Sequence, residues 1–382
     1  MRGSEQVVEL LCGLFPQADV FTLRWEPRRL SAALASRHVT TSFIDRVANA
    51  PLVRGRFRAL LPLFPLAVQS FRLERYPLVI SSSHCVALGA PAAAQALHIA
   101  YVHSTMRYVR ESQTAYQASV PGGALGQLAF RAAAGYLRRW EGAVGARPDV
   151  MVANSTFTRD RIFRYFGRHA EVIAPPIDTQ RFERVAAYRA AADDDRSPLL
   201  LVSALVPSKR VELAVRALQG RPERLLVVGE GPERTGLERL AGPNVTFLGW
   251  VGERALEELY AGCRALLHPA VDDFGMVMVE AMAAGKPVIA CGEGGALDIV
   301  RSGTSGILIE APTVEAVRAA LDRFAHSRAD FDPKRLQAEA RRFDRAVFER
   351  RFFEVVERAW HRHETARWPL ASARSRRRGG RQ

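Results

Sequence analysis

The run Asp272-Asp273-Phe274-Gly275-Met276-Val277-Met278-Val279-Glu280-Ala281-Met282-Ala283-Ala284-Gly285-Lys286-Pro287-Val288-Ile289-Ala290 sets two carboxylates, Asp272 and Glu280, on either side of a glycine turn. Gly275 permits a tight turn and a close backbone approach to a ligand. No helix breaker occurs from Met276 to Ala284, and Gly285 followed by Pro287 ends the helix. Val288 to Cys291 then reads as a short apolar strand, and Gly292, Gly294 and Gly295 as a second flexible loop. A helix start beside a glycine turn offers unpaired N–H groups and positive dipole, which suit a diphosphate. Glu280 lies about one turn further in, within reach of ribose hydroxyls. On local composition alone the segment reads equally well as a surface acidic pair ahead of an ordinary amphipathic helix.

Outward from this run, short apolar strands alternate with helical stretches. In the second half the strands are Leu199 to Val202, Leu225 to Val228, Val245 to Leu248, Ala265 to His268, Pro287 to Ala290 and Gly306 to Ile309. In the first half they are Val20 to Leu23, Leu78 to Ile80 (ended by three serines), His98 to Val102 (ended by His103) and Val150 to Ala153. A helix is expected over Glu5 to Phe15, and another over Thr158 to Phe166 capped by Asn154-Ser155. This alternation predicts parallel sheets covered on both faces, with ligands at the carboxyl ends of the strands.

Asp272 to Gly295 resembles the signature of the retaining glycosyltransferases of family 4, which have the GT-B fold: Glu, seven residues, Glu, with Phe-Gly inside and Glu-Ala-Met-Ala-x-Gly after it. The match departs at its first carboxylate, which is Asp272 here. Asn154-Ser155, Pro175-Pro176-Ile177-Asp178, Lys209-Arg210, Gly229-Glu230-Gly231-Pro232-Glu233 and Phe247-Leu248-Gly249-Trp250 fall in the order of that family. Ser81 to His84, His103 to Tyr108 and Leu60 to Leu66 resemble one branch more narrowly, bacterial mannosyltransferases similar to WbaZ that build surface polysaccharides. The resemblance implies an α/β GT-B protein of two Rossmann-like domains with a cleft between them. The expected division is an acceptor-side domain over 1–174, a linker over 175–198 and a nucleotide-sugar domain over 199–342. A helix over 343–368 would cross back to the first domain, and 369–382 would form a basic disordered tail. Relatives in that branch begin with a strand and a loop whose end Met1-Arg2-Gly3-Ser4-Glu5 resembles, so the first N-terminal strand is expected to be missing and the true start to lie upstream of Met1.

The resemblance also assigns roles. His103 would sit where the transferred sugar meets the acceptor; an isolated His at a strand end can equally be a structural hydrogen-bonder. Lys209 and Arg210 would neutralise the donor's diphosphate as charge builds on it. Many relatives place an Arg at the position of Ala204, so more of that task falls to these two. Asp272 would contact hydroxyls of the donor sugar, Glu280 the ribose hydroxyls, and Phe274, Gly275 and Met276 would offer backbone N–H groups. Gly229 and Gly231 would line the nucleotide pocket, and backbone at Trp250 and Val251 would meet the base. The implied reaction is retaining transfer of mannose from GDP-mannose to a lipid-linked saccharide, with no metal or other cofactor. A UDP-sugar donor and a catalytically impaired sugar-nucleotide-binding partner protein are the alternatives.

The 382 residues are 48% hydrophobic and 25% charged, as in globular chains with room for two domains. No apolar run approaches the roughly 20 residues of a membrane span, and no signal-peptide pattern precedes Glu5. The cysteines at 12, 85, 263 and 291 form no metal-ligand spacing and read as reduced thiols, pointing to the cytoplasm. The net charge of +14 rests almost wholly on Arg, since only residues 209, 286 and 334 are Lys. Such charge attracts anionic donors and the inner face of an anionic membrane. The Arg-rich stretch from Arg374 to Arg381 lacks any nucleic-acid reader motif, which disfavours specific nucleic-acid binding. Pro51 to Leu73 interleaves Arg54, Arg56, Arg58 and Arg72 with bulky apolar residues, and suits either a core helix or a membrane-surface segment.

Overall fold

A computed structural model describes residues 3–26, 31–50, 57–110, 123–189, 197–327 and 330–378; side chains are left out of account at 57–58, 108, 186–189 and 367–378. Arg54, Arg56, the acidic cluster Asp193 to Asp195 and Arg381 lie outside the described residues. The chain divides into two compact units, Met1–Asn154 with Thr158–Ile173 and Phe348–Gln382, and Ala174–Val347 with Ser155–Phe157.

The first unit contains strands β1 (Val20–Thr22), β2 (Val39–Thr41), β3 (Leu78–Ser83), β4 (Leu97–Val102), β5 (Val150–Ala153) and β6 (Glu171–Val172). A parallel sheet runs in the order β3-β4-β5-β6, and β1 pairs with β2 as a separate parallel ribbon. The three serines do not end β3. Ser81, Ser82 and Ser83 continue the ladder opposite Ala100, Tyr101 and Val102, and Ser81 and Ser83 are buried. Their hydroxyls find partners inside the fold: Ser81 Oγ lies 2.9 Å from His98 Nε2.

All of β4 is buried, as expected of a strand covered on both faces. One cover is the helix Gly3–Leu14, where Val7, Leu10 and Leu11 recur at helical spacing and pack on Leu97, Ile99 and Tyr101. The other contributor to this cluster is the final helix, Arg345–Arg378, through Phe348, Phe352, Val355 and Val356. Phe348 and Phe352 stack with ring centroids 5.5 Å apart, and the buried Tyr101 hydroxyl donates to the Ile173 carbonyl at 2.9 Å. The helix runs on to Arg378, into the stretch expected as tail. Of the Pro51 to Leu73 segment, Leu60, Phe64, Ala67 and Val68 are core, while Leu63 and Leu66 are exposed. Among the described residues no helix is long and apolar enough to cross a membrane.

The second unit holds β7 (Leu199–Val202), β8 (Leu225–Val228), β9 (Val245–Gly249), β10 (Ala265–His268), β11 (Val288–Cys291) and β12 (Gly306–Ile309) in one parallel sheet of order β12-β11-β10-β7-β8-β9. Each expected strand is present within a residue or so of its ends. The order reverses between β7 and β10, and a doubly wound sheet leaves a crevice outside the strand carboxyl ends at such a switch. The stretch expected as linker carries the helix Thr179–Arg189, whose Phe182 packs edge-on against the buried Tyr260 at 5.5 Å.

Candidate functional site

The loops at the switch point carry most of the residues singled out in the sequence. After β7 the chain passes Ser203 to Val206 into a short 3-10 turn, Pro207–Lys209. Arg210 follows with φ 51°, the sole positive φ outside glycine among the described residues. A left-handed arginine costs energy and is held only where its surroundings demand it. Its guanidinium lies beside the Cys291 thiol at the end of β11, and its buried Nη1 has no hydrogen-bond partner. An orphaned buried donor is unfavourable unless a ligand completes it.

After β10 comes Pro269 to Gly275. Lys209 Nζ donates to Asp272 Oδ1 at 2.6 Å, and His268 Nε2 lies 3.2 Å from Asp272 Oδ2. Burial works against ionisation of Asp272, but the Lys209 ammonium and the His268 imidazole outweigh it and hold the carboxyl well below the usual carboxylate range. The Asp272 carbonyl accepts from Gly295 N at 2.9 Å, so the two glycine-rich loops are tied together. Gly275, at φ 98°, caps the helix Met276–Ala283, which has no side-chain cap. Met278 N donates to the Gly275 carbonyl at 3.0 Å, which leaves the N–H groups of Met276 and Val277 without an acceptor within the helix. Phe274 does not face outward: its ring is buried edge-on against Phe343 at 5.6 Å, which anchors the loop and leaves its backbone as the usable group.

Glu280 stands on that helix and accepts from the Tyr260 hydroxyl at 2.7 Å. Burial raises its pKa, with the Tyr260 bond and the Arg181 charge opposing. Arg181, from Thr179–Arg189, is itself held by Glu257 and, at 3.2 Å, by Glu253. Burial and the neighbouring carboxylate push the Tyr260 phenol well above its ordinary value, so it stays a donor.

Gly229 and Gly231 follow β8 and press on the chain leading to Lys209. A Cβ at Gly229 would lie 1.9 Å from the Ser203 carbonyl oxygen, and one at Gly231 2.1 Å from that of Leu205. Leu205 N donates to Glu230 O at 2.9 Å, which locks the two loops. After β9, Trp250 is 76% exposed, while Val251 packs on the unit's core. The second unit therefore gathers Lys209, Arg210, Asp272, Phe274, Gly275 and Met276 at neighbouring strand ends, with Glu280 one helical turn on and Gly229, Gly231, Trp250 and Val251 on the β8 and β9 side. Sequence reading missed His268, Tyr260 and Arg181. The one signal for His268 was a polar residue closing an otherwise apolar strand.

His103 belongs to the first unit. It is half-buried, its Nε2 lies 2.7 Å from Ser82 Oγ, and its carbonyl accepts from Asn154 Nδ2 at 3.0 Å. Burial, aided by His84, lowers its pKa to about 3, so the imidazole is neutral at neutral pH. Among the described residues no three His, Cys, Asp or Glu side chains gather as a metal ligand set.

With this geometry the fold is that of a GT-B protein, and comparisons agree. The structure of Anabaena Alr3699/HepE in complex with UDP and glucose superposes with a TM-score of 0.66 at 19% identity, covering 93% of this chain and 96% of that one. Residues 1–181 match the model of Glycosyltransferase Family 4, and residues 188–343 that of Glycosyl transferases group 1. Between them the two models take in most of the sequence, and the chain belongs to the GT-B glycosyltransferases. A GDP-mannose-dependent alpha-(1-6)-phosphatidylinositol monomannoside mannosyltransferase of Mycobacterium tuberculosis is 32% identical over 53% of this chain and 58% of its own length. A GDP-mannose-dependent alpha-mannosyltransferase of the same organism is 29% identical over 72% of each. The chain thus spans less than two thirds of the length of the first of these relatives.

Proposed function

We propose that this chain transfers mannose from GDP-mannose to a lipid-linked saccharide, with retention of configuration, in the assembly of a surface polysaccharide. The observation that carries the reading is the pairing of Lys209 with Asp272 at the sheet's switch point, with the unpartnered Nη1 of Arg210 and the glycine-started helix on the neighbouring loops. Two relatives that depend on GDP-mannose support the donor, and one whose name gives a phosphatidylinositol mannoside as acceptor supports a lipid-linked one.

In this reading the diphosphate lies against the first turn of Met276–Ala283, with Lys209 and Arg210 as its counter-charges. As the bond from the anomeric carbon to the phosphate oxygen breaks, negative charge grows on the leaving group. Fixed cations and N–H dipoles stabilise that charge more than they stabilise the intact donor. No metal is needed for this neutralisation. Glu280 takes the ribose hydroxyls. Asp272, ionised and with lone pairs left over from Lys209 and His268, accepts from the donor sugar. The acceptor hydroxyl attacks from the face the diphosphate leaves, and His103 attends the transferred sugar as a neutral imidazole. Peripheral contact with an anionic membrane face belongs to the same proposal, supported by the +14 charge and the exposed Leu63 and Leu66.

A titration of the purified protein with GDP and with UDP tests the pocket without any acceptor. Binding of GDP, lost in Glu280→Ala, is expected. Binding of UDP alone moves the donor to a UDP-sugar. Nucleotide binding with no GDP released from GDP-mannose on any lipid-linked acceptor leaves a sugar-nucleotide-binding partner instead of an enzyme. Vesicle sedimentation with anionic lipid tests the membrane contact.

A further inference from the structure

His268 closes β10, a strand that is otherwise Ala265-Leu266-Leu267 and is buried along its whole length. An imidazole only 2% exposed on such a strand needs a polar partner. Among the described residues its Nε2 has no hydrogen bond of regular geometry; what it faces is Asp272 Oδ2, at 3.2 Å. The other oxygen of that carboxylate receives the Lys209 ammonium at 2.6 Å. The three side chains therefore form a line, imidazole to carboxylate to ammonium, that joins the end of β10 to the turn after β7.

We propose that His268 is a positioning residue for Lys209, acting through Asp272, a role that rests on the diphosphate reading above. The argument is one of degrees of freedom. A lysine carries a point charge on a flexible four-carbon stem and does not by itself place that charge. Asp272 can place it only if the carboxylate is fixed. Its backbone is fixed, because its carbonyl accepts from Gly295 N at 2.9 Å. Its carboxylate would still turn about the bond to Cβ if Lys209 were its sole partner, and the ammonium would turn with it. A second donor on Oδ2, carried by a buried ring on a rigid strand, removes that rotation. The remaining ammonium N–H groups then point in a set direction. His268 touches no substrate in this scheme. Its effect passes through the carboxylate to the cation, and only a ligand bearing phosphate senses it.

The test compares diphosphates with their parent nucleosides, GDP with guanosine and UDP with uridine, by titration of wild type, His268→Phe, His268→Gln, Lys209→Ala and the Lys209→Ala, His268→Phe double variant. Phe keeps a ring of similar size without the donor, and Gln keeps an N–H donor near the place of Nε2. In His268→Phe, affinity for the diphosphate is expected to fall by about tenfold while that for the nucleoside holds, as for a displaced charged contact. His268→Gln should return to within about threefold of wild type. In the Lys209→Ala background the Phe change should add nothing. If His268→Phe does not fold, His268→Asn, too short to reach Oδ2, takes its place. Wild-type affinity in the loss variant overturns the inference. So does an equal fall for diphosphate and nucleoside, or a further fall without Lys209. Failure of the wild type to bind either diphosphate defeats the glycosyltransfer reading itself, and the inference falls with it.

Discussion

The Tyr260 hydroxyl donates to Glu280 Oε2 at 2.7 Å, from a phenol that is itself wholly buried against Phe182. The bond fixes the carboxylate assigned to the ribose and favours its ionised form, against burial that raises its pKa. Tyr260→Phe removes the donor and leaves burial less opposed, so the Glu280 pKa rises further. GDP affinity in that variant is expected to fall by about tenfold at neutral pH, the worth of one hydrogen bond to a charged group. The acid-side midpoint of binding should also move to higher pH. The sign for stability follows: a carboxyl whose folded pKa lies above its unfolded value stabilises the fold below the unfolded pKa, and that gain is lost as pH rises through the folded one. Tyr260→Phe should therefore be less stable at pH 7 than at pH 4 relative to wild type. Titration calorimetry across pH, with urea melts, checks both.

Arg210 couples a strained backbone to a guanidinium whose buried Nη1 has no hydrogen-bond partner among the described residues. Removing the side chain removes the orphaned donor, so Arg210→Ala should be at least as stable as wild type without nucleotide, yet bind GDP about tenfold more weakly or worse. Arg210→Gly also relieves the left-handed strain and should gain about 1 kcal/mol over the alanine variant. Chemical denaturation paired with GDP titration reads both quantities. A variant that loses stability and keeps affinity would make Arg210 a structural residue.

The second unit was legible because its signals are local. Each strand is a short apolar run, and the turn around Gly275 announces itself through a glycine, a helix without breakers and a following Gly-x-Pro. What escaped was tertiary. Tyr260 and Arg181 lie about twenty and about a hundred residues from Glu280, and nothing at their own positions records the partner, whereas His268, four residues before Asp272, showed only as a polar residue closing an apolar strand. Tyr260 in particular reads as core, and its hydroxyl acquires meaning only when the helix Met276–Ala283 packs beside it. The first unit was harder. Three serines at the end of an apolar run look like a loop, because burial of hydroxyls is affordable only where partners such as His98 wait on the next strand. β2, Val39–Thr41, gives too short a run to stand out from its surroundings.

The first unit should be acid-sensitive well above the range of carboxylates. His98 is 2% exposed on β4, and burial lowers its pKa to about 4, with Asp149 opposing and Arg147 adding. His103 is lowered to about 3 by burial and His84. Both folded values lie below the unfolded one near 6.5. The unfolded chain thus takes up protons first, and stability present above about pH 6.5 is lost as pH falls toward the folded values. For His98 the slope in that window is about 1.4 kcal/mol per pH unit. Asp272, whose pKa is lowered, adds its own loss only at about pH 4 and below, as pH falls through its unfolded value. Urea melts from pH 8 to 4.5 should show the decline, and His98→Gln should flatten it by one proton. A profile level down to pH 5 would mean that the buried histidines are charged.

Gly229 and Gly275 both have positive φ, 130° and 98°, but an added Cβ meets different neighbours. At Gly275 it would lie 2.2 Å from the Met278 terminal methyl, the far end of a flexible side chain that can swing aside. Gly275→Ala should then cost little beyond backbone strain, about 1–2 kcal/mol. At Gly229 it would lie 1.9 Å from the Ser203 carbonyl oxygen, and Gly229 N already donates to Gly249 O at 2.8 Å. Neither backbone can yield without moving the other. Since Ser203 to Arg210 is the stretch that delivers Lys209 and Arg210, the displacement reaches the cations directly. Gly229→Ala is expected to destabilise by about 3 kcal/mol and to lose most GDP affinity, whereas Gly275→Ala keeps the greater part of its stability. Melting curves and GDP titrations of the two variants side by side decide the matter. Equal losses would mean that φ alone sets the cost, and that the Ser203 contact does not tie the β8 loop to the cationic turn.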